Sequence, residues 1–516
     1  MNSAFKSSRI KEFLIVLLIF VFSFWLRLAF ISKGPFHFDT VLQAQLASDS
    51  LLSLRLHYHR AFGYPLTIIL SAIFIFVFRL LGIVDPILSV NFLSVFISSV
   101  DVVIFYFLVK NLINARCALF SSLIFSLFPA FLSVSTFGNS HCLSIMFVLL
   151  SVNQLVIYTK NYRLKNLVYC GLFLGLQGLS RPQDTLIILP VSLIFFVCHR
   201  DLKKGRLCFD KSVLMRYLLF LALICLPLIF YIYMIFTTGT TQSLYLLRQA
   251  NYLGPISRML ATSARYTVYM FTYVSFIISF VGMATLFKYQ RRVFFFLVIW
   301  FLSLYLFYGN LANFDARYLI LAVLPLIVYE GYELSRLFTQ NRVACSLLFA
   351  FILLNMFLVM YPVLKLRHEY CLQEEFAKLV AAKTADTSLI IAQDERLFLG
   401  YYTERHSIIA PVTCNRKEIR QFLVDEIDNQ LSKKNEVYIV DSTFAYDHCG
   451  LLEREISKKY KIDTVASCIN ETWHHTTVVP YLFTQDLILG NKSLYSSFYA
   501  ERLYKITKKV TAKNAK

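Results

Sequence analysis

Long apolar runs, one after another, constrain this chain more than any other feature. Twelve lie before residue 363, at 13–31, 64–83, 87–109, 116–135, 142–158, 166–180, 184–198, 214–236, 266–287, 293–309, 317–338 and 343–362. A helix rises about 1.5 Å per residue, so roughly 20 apolar residues span the hydrocarbon core of a bilayer, about 30 Å thick. Backbone amides and carbonyls in lipid find partners only within the segment, which makes each run a helix. The 516-residue sequence is 57% hydrophobic and only 16% charged. A soluble chain of that length needs more polar surface. The expected fold is therefore an all-α polytopic membrane domain over residues 1–362.

Charge sets the orientation. Lys and Arg number 51 against 31 Asp and Glu, a net charge of +20. Many of the cations sit in short loops between apolar runs, where they govern topology, so nucleic-acid binding is a poor reading. Lys6, Arg9 and Lys11 precede the first run, which is too long for a signal h-region and has no small-x-small site after it. It reads as an uncleaved transmembrane helix with a cytoplasmic N-terminus. Basic clusters recur at Lys110/Arg116, Lys160/Arg163/Lys165, 199–216, Lys288/Arg291/Arg292 and Arg336/Arg342. Placing all of them inside puts the loops near 136–141, 181–183, 237–265 and 310–316 outside. Only two crossings then fit before Lys110, although three runs precede it. The run at 64–83, which opens with Gly63-Tyr64-Pro65 and carries Arg79, is the one read as juxtamembrane. The expectation is about eleven crossings.

Beyond Pro362 the composition turns mixed and charged. Strand-like stretches at 388–392 and 436–440 alternate with a helical one at 417–431, so residues 363–516 read as a small extracytoplasmic α/β domain. Of the 11 cysteines, Cys371, Cys414, Cys449 and Cys468 fall in this domain. Their even number permits disulfides outside the cytoplasm, without fixing a pairing. None of the cysteines makes a CxxC pair.

Two groups of polar residues can carry chemistry. The first outer loop, 32–62, reads Gly-Pro-Phe-His-Phe-Asp-Thr after the first helix and holds Asp39 at the outer surface. A carboxylate there can deprotonate an acceptor hydroxyl or hold a divalent cation. It can equally cap a helix starting at Thr40. The same loop holds His37, Asp49, His57, His59 and Arg60, whose spacing matches no metal-ligand pattern. The second group is the outer arginines. Arg181 stands in Ser-Arg-Pro-Gln-Asp, Arg317 in Asn-Phe-Asp-Ala-Arg-Tyr, and Arg248, Arg258 and Arg265 in the long outer loop. Cations at headgroup depth suit a lipid phosphate, though an arginine near a helix end can also simply snorkel. Asp315 can pair with Arg317 or with a neighbour. Asp101, inside the run 87–109, reads as a hydrogen-bonding group between helices, and Glu330, Glu333 and Arg336 as a helix-end charge cluster.

The order of motifs resembles the GT-C superfamily of integral-membrane glycosyltransferases, in particular the protein O-mannosyltransferase and aminoarabinose-transferase-like branch. Phe-His-Phe-Asp-Thr follows one helix, then come Ala-Phe-Gly-Tyr-Pro-Leu-Thr, Gly-Leu-Ser-Arg-Pro, and Ala-Arg-Tyr-Leu-Ile-Leu-Ala-Val-Leu-Pro. The resemblance implies an inverting, single-displacement transfer on the outer face, from a polyprenyl-phosphate-linked sugar to an acceptor hydroxyl on a glycan, lipid or protein. Asp39 would be the catalytic base, with His37, His59 and Arg60 beside it in the first loop. Arg181, Arg317 and Arg265 would hold the donor phosphate. Thr40 follows Asp39 where many members have an acidic pair. The next outer loop reads Phe-Gly-Asn-Ser-His at 137–141, without the acid some members carry, which leaves a divalent metal open. In a prokaryote the location would be the plasma or inner membrane.

The alternative reading is a transporter or flippase, or a polymerase, of lipid-linked glycans. A transporter calls for paired intramembrane charges and repeated halves, and the sequence shows one buried Asp and no repeat.

Overall fold

The structure is a computed structural model that describes residues 2–57, 64–198, 211–238, 264, 267–268, 270–311, 316–393, 395–403, 405, 407–411, 415–445, 450–469 and 500–509. Among them the chain divides into two compact units. One takes the residues up to Ile31 and Gln43–Leu366; the other takes Ser32–Leu42 and the described residues from Arg367 onward.

The first unit is helical. Its helices are α1 (Asn2–Leu28), α2 (Phe38–Ser53, shared with the second unit), α3 (Pro65–Leu80), α4 (Pro86–Leu112), α5 (Ala115–Leu127), α6 (Pro129–Val134), α7 (His141–Asn161) and α8 (Leu164–Ser180). They continue as α9 (Ile188–Cys198), α10 (Lys211–Thr238), α11 (Tyr273–Tyr289), α12 (Arg291–Leu311), α13 (Ile320–Gln340) and α14 (Arg342–Glu369). Local sequence sets their ends. Asp85 caps α4 by accepting from the Ile87 amide at 2.8 Å, with Pro86 at the first helical position. Pro129 forces extended geometry on Phe128 (ψ 117°), so the run 116–135 is two helices instead of one.

Six segments among the described residues are long and apolar enough to cross a membrane: Pro86–Leu112, His141–Asn161, Lys211–Tyr233, Arg291–Tyr308, Arg317–Gln340 and Arg342–Tyr361. The first, second and fifth are largely enclosed by protein, whereas the other three leave most of their surface open. Gly171, Gly175 and Gly178 bring α8 close to α10: a Cβ on Gly175 would stand 2.7 Å from the Pro227 ring.

Two interior charges differ from the sequence reading. Asp101 is fully buried, but neither carboxylate oxygen has a hydrogen-bond partner among the described residues. It shares the interior with the buried Arg27, which donates to the hydroxyl of Ser23 at 2.6 Å and that of Ser126 at 3.2 Å. Glu330 stands apart from the helix-end cluster: it is fully buried and accepts from Ser275 at 2.6 Å, while Glu333 alone pairs with Arg336. A carboxylate in such surroundings is held by polar groups of neighbouring helices because lipid offers none.

The second unit is an α/β layer structure. Strands β1 (Leu389–Ala392), β2 (Ser407–Ile409), β3 (Val437–Val440), β4 (Tyr460–Ile469) and β5 (Ala500–Lys508) form one sheet in the order β2-β1-β3-β5-β4. The first three are parallel and β5 runs antiparallel to both neighbours. Leu389, Ile391, Val437 and Ile439 face one apolar layer; Ile390, Ala392, Tyr438 and Val440 face the other. That alternation is the period of a strand covered on both sides. The segment Ser32–Leu42 joins this unit through the Lys33 amide, which donates to the Arg367 carbonyl at 3.0 Å, and through the Arg367 guanidinium on the Phe36 ring.

Candidate active site

In the first unit, Arg181 terminates α8. Its amide still donates to the Gln177 carbonyl at 2.9 Å, but Pro182 cannot continue the helix and Arg181 turns extended. A short 3-10 turn, Pro182–Ile187, follows and places Asp184 beneath the guanidinium. Arg181 Nε lies 3.1 Å from Asp184 Oδ2. Its Nη1 lies 2.6 Å from Nε2 of His141, the first residue of α7. Asp184 also accepts from the hydroxyl of Ser144 at 2.6 Å and from Tyr308 of α12. Gln177 ties the floor together, donating to Ser144 Oγ and to the Arg181 carbonyl.

Arg317 enters from another end. It lies in the 3-10 turn Ala316–Leu319 that leads into α13. Its guanidinium carbon stands 5.9 Å from the Tyr318 ring centre, and that of Arg181 stands 5.1 Å from the same ring. The His141 ring meets Tyr318 edge-on at 5.7 Å. Thus the start of α7, the end of α8, the end of α12 and the approach to α13 converge on two arginines. All of these polar side chains except Tyr318 are buried, Arg181 at 3% exposure and Arg317 at 6%.

Burial alone weakens the hold of Arg181 on its proton. Asp184, Tyr64, Tyr318 and Tyr308 outweigh burial and raise the guanidinium above its ordinary value, so it is a fixed cation. Its Nη2 is buried with no hydrogen-bond partner among the described residues. A donor in that state suits an anionic oxygen brought by a ligand.

Asp39 and His37 lie in the second unit. Asp39 falls in the first turn of α2, one residue inside its start, and is not the residue before it. Its Oδ2 stands 3.2 Å from His37 Nδ1, and its side chain is 23% exposed while that of His37 is 5% exposed. Asp49 is exposed on the same helix. Among the described residues no three His, Cys, Asp or Glu side chains gather as a metal-binding group. His59, Arg60, Arg265 and Asp315 lie outside the described residues, as do Cys414 and Cys449; Cys371 is a buried free thiol.

Sequence reasoning found Arg181 and Arg317 but not their partners. Asp184 was legible as the residue three positions after Arg181. His141 lay in the outer loop noted for its missing acid. Tyr308 carried no signal inside an apolar run.

The chain is similar to known membrane glycosyltransferases. The model of the dolichyl-phosphate-mannose-protein mannosyltransferase family matches residues 66–231, which include His141, Arg181 and Asp184. The Archaeoglobus fulgidus oligosaccharyltransferase AglB, solved with an inhibitory peptide and a dolichol-phosphate, is 13% identical at a TM-score of 0.56. That likeness covers 87% of this chain and 73% of AglB. ArnT from Cupriavidus metallidurans, bound to undecaprenyl phosphate, is 11% identical at a TM-score of 0.53, covering 89% of this chain and 96% of ArnT. No curated protein matches by sequence. The chain thus shares the fold of AglB and ArnT.

Proposed function

We propose that this protein transfers a sugar from a polyprenyl-phosphate-linked donor to an acceptor hydroxyl on the outer face of the membrane, by an inverting single displacement. The observation that carries this reading is the pair of buried arginines on Tyr318, one with a donor that no described residue uses. A glycosyl phosphate leaves as a phosphate whose negative charge grows as the anomeric C–O bond breaks. Fixed cations placed in advance stabilise that change more than they stabilise the ground state. Arg181, oriented by Asp184, meets one phosphate oxygen through Nη2, and Arg317 supplies the second positive charge. The polyprenyl phosphates held by AglB and ArnT support a ligand of the same chemistry here.

Asp39 is the base of the proposed reaction. Its partly exposed carboxylate takes the acceptor's hydroxyl proton as that oxygen bonds to the anomeric carbon and the polyprenyl phosphate departs from the opposite face. No step is assigned to a metal. The bundle crosses the membrane about eleven times, with a cytoplasmic N-terminus and the α/β unit, 363–516, outside. Helix α3 has 16 residues, about 24 Å at 1.5 Å per residue, against a core about 30 Å thick, which supports a juxtamembrane place for it.

The test offers purified protein a panel of polyprenyl-phosphate sugars with candidate acceptors, comparing wild type, Asp39→Asn and Arg181→Ala. Sugar transfer by wild type, lost in Asp39→Asn with donor binding kept and weakened in donor binding by Arg181→Ala, is the expected result. Movement of intact lipid-linked glycan across vesicles without sugar transfer would replace the reading with a flippase.

A further inference from the structure

The proposed phosphate site contains an imidazole that the displacement does not need. We propose that His141 is a positioning residue that must stay neutral: it anchors the Arg181 guanidinium by accepting its hydrogen bond, and its protonation switches the donor site off. The proposal rests on the lipid-phosphate reading of the site and deepens it.

The argument starts from the donor inventory. Arginine has five N–H donors and no acceptor, so the 2.6 Å contact between Arg181 Nη1 and His141 Nε2 is a hydrogen bond only when Nε2 carries its lone pair. Protonated His141 would set one N–H against another, and one cation against a second. His141 opens α7, where the helix dipole opposes positive charge. Arg181, from the end of α8, and the Tyr318 ring, from the turn before α13, meet it directly; Asp184 and Tyr308 of α12 stand behind Arg181, and Arg317 lies against the same Tyr318 ring. Tyr64 acts on Arg181 from the start of α3. Among these described groups the carboxylate of Asp184 already serves Arg181, Ser144 and Tyr308. A third cation beside the two arginines would push Arg181 off its anchor and turn Nη2 away from the phosphate.

The anchor therefore has two faces. Asp184 holds Nε and His141 holds Nη1, which leaves Nη2, without a hydrogen-bond partner among the described residues, to meet a ligand. A guanidinium held at two corners loses little further freedom when a phosphate binds at the third.

The experiment measures binding of undecaprenyl phosphate and donor kcat/KM across pH 5–8, for wild type, His141→Gln and His141→Ala. The glutamine amide oxygen can accept from Arg181 but cannot titrate. Ionisation of the lipid phosphate is common to all three proteins, so the difference between their profiles isolates the imidazole. Wild-type kcat/KM should fall about tenfold per pH unit on the acid limb, mainly through donor KM. His141→Gln should flatten that limb and keep neutral-pH affinity. His141→Ala should weaken the donor on the order of tenfold to a hundredfold at every pH. Superimposable profiles for wild type and His141→Gln would overturn the proposal. So would loss of binding in His141→Gln that an added divalent metal restores, because His141 would then be a ligand. Failure of wild type to bind undecaprenyl phosphate at neutral pH would instead remove the lipid-phosphate reading on which it rests.

Discussion

Substituting Asp184 tests whether the buried hub exists as described. Its carboxylate meets Arg181 Nε at 3.1 Å, the Ser144 hydroxyl at 2.6 Å and the Tyr308 hydroxyl. A hydrogen bond to a charged group contributes about 1.5–3 kcal/mol and a neutral one about 0.5–1.5 kcal/mol. Asp184→Asn keeps the shape but withdraws the negative charge from all three contacts, a loss of about 1 kcal/mol apiece and about 3 kcal/mol together. Both hydroxyls can rotate to suit the new amide. Asp184→Ala is worse, because it takes away the acceptor oxygens as well as the charge and leaves the buried Arg181 with nothing in their place. Removing one partner of a buried ion pair costs about 3–5 kcal/mol, before the two orphaned hydroxyls are counted. The order of stability is therefore wild type, then Asn, then Ala. A membrane protein of this size does not unfold in two states, so the assay ranks apparent melting temperatures in one detergent instead of extracting free energies. The functional signs also diverge. Asp184→Asn leaves Arg181 uncompensated, so affinity for a lipid phosphate holds or rises while kcat falls with the lost orientation. Equal melting of all three proteins, or an Ala variant as stable as the Asn variant, would refute the three-partner hub.

Two other perturbations read different parts of the molecule. A Cβ on Gly282 would run into the Tyr329 carbonyl, and one on Gly331 into Ser121, so alanine at either position should destabilise the bundle by about 1–3 kcal/mol and lower its melting temperature. Gly400 has no neighbour within 4 Å of that point, so Gly400→Ala serves as a control that leaves stability unchanged or raises it. In the α/β unit, hydrogen bonds from Lys505 and Tyr438 hold Glu436 below its ordinary 4.5, so its folded value lies under its unfolded one. The stabilisation is then complete above about pH 4.5 and lost as pH falls through the folded value. Because the pair is partly exposed it is worth about 0.2–1 kcal/mol, and Glu436→Gln should flatten the acid side of the full-length melting profile by that small amount.

The sequence exposed the architecture wherever one residue type dominates a run. Helices fall on the apolar stretches because lipid exposure selects composition directly, and the strands β1 and β3 fall within the stretches expected for them. Boundaries were legible where proline sets them, as at Pro182. Yet the run 116–135 reads as one span although Phe128-Pro129 divides it, since the break changes direction without changing composition. The first outer loop also reads differently in space. Ser32–Leu42 belongs with the α/β unit through Arg367 and Phe36, a pairing of residues more than three hundred positions apart that no local pattern announces.

The site divides along the same line. An arginine at the end of an apolar run is conspicuous because it is costly there, so Arg181 and Arg317 could be picked out singly. What makes them a site is the set of groups that compensates the cost. Tyr308 reaches Asp184 across 124 residues of sequence, and His141 reaches Arg181 across 40. Tyrosine and histidine are ordinary at a membrane interface, so neither stands out until the fold brings it to a guanidinium. Asp101 shows the converse: its residue type was conspicuous, but the reading supplied the wrong kind of partner. In the structure it shares the interior with Arg27 and has no hydrogen-bond donor among the described residues. A buried charge in a sequence therefore predicts that compensation exists, while the residue that supplies it is a property of the fold.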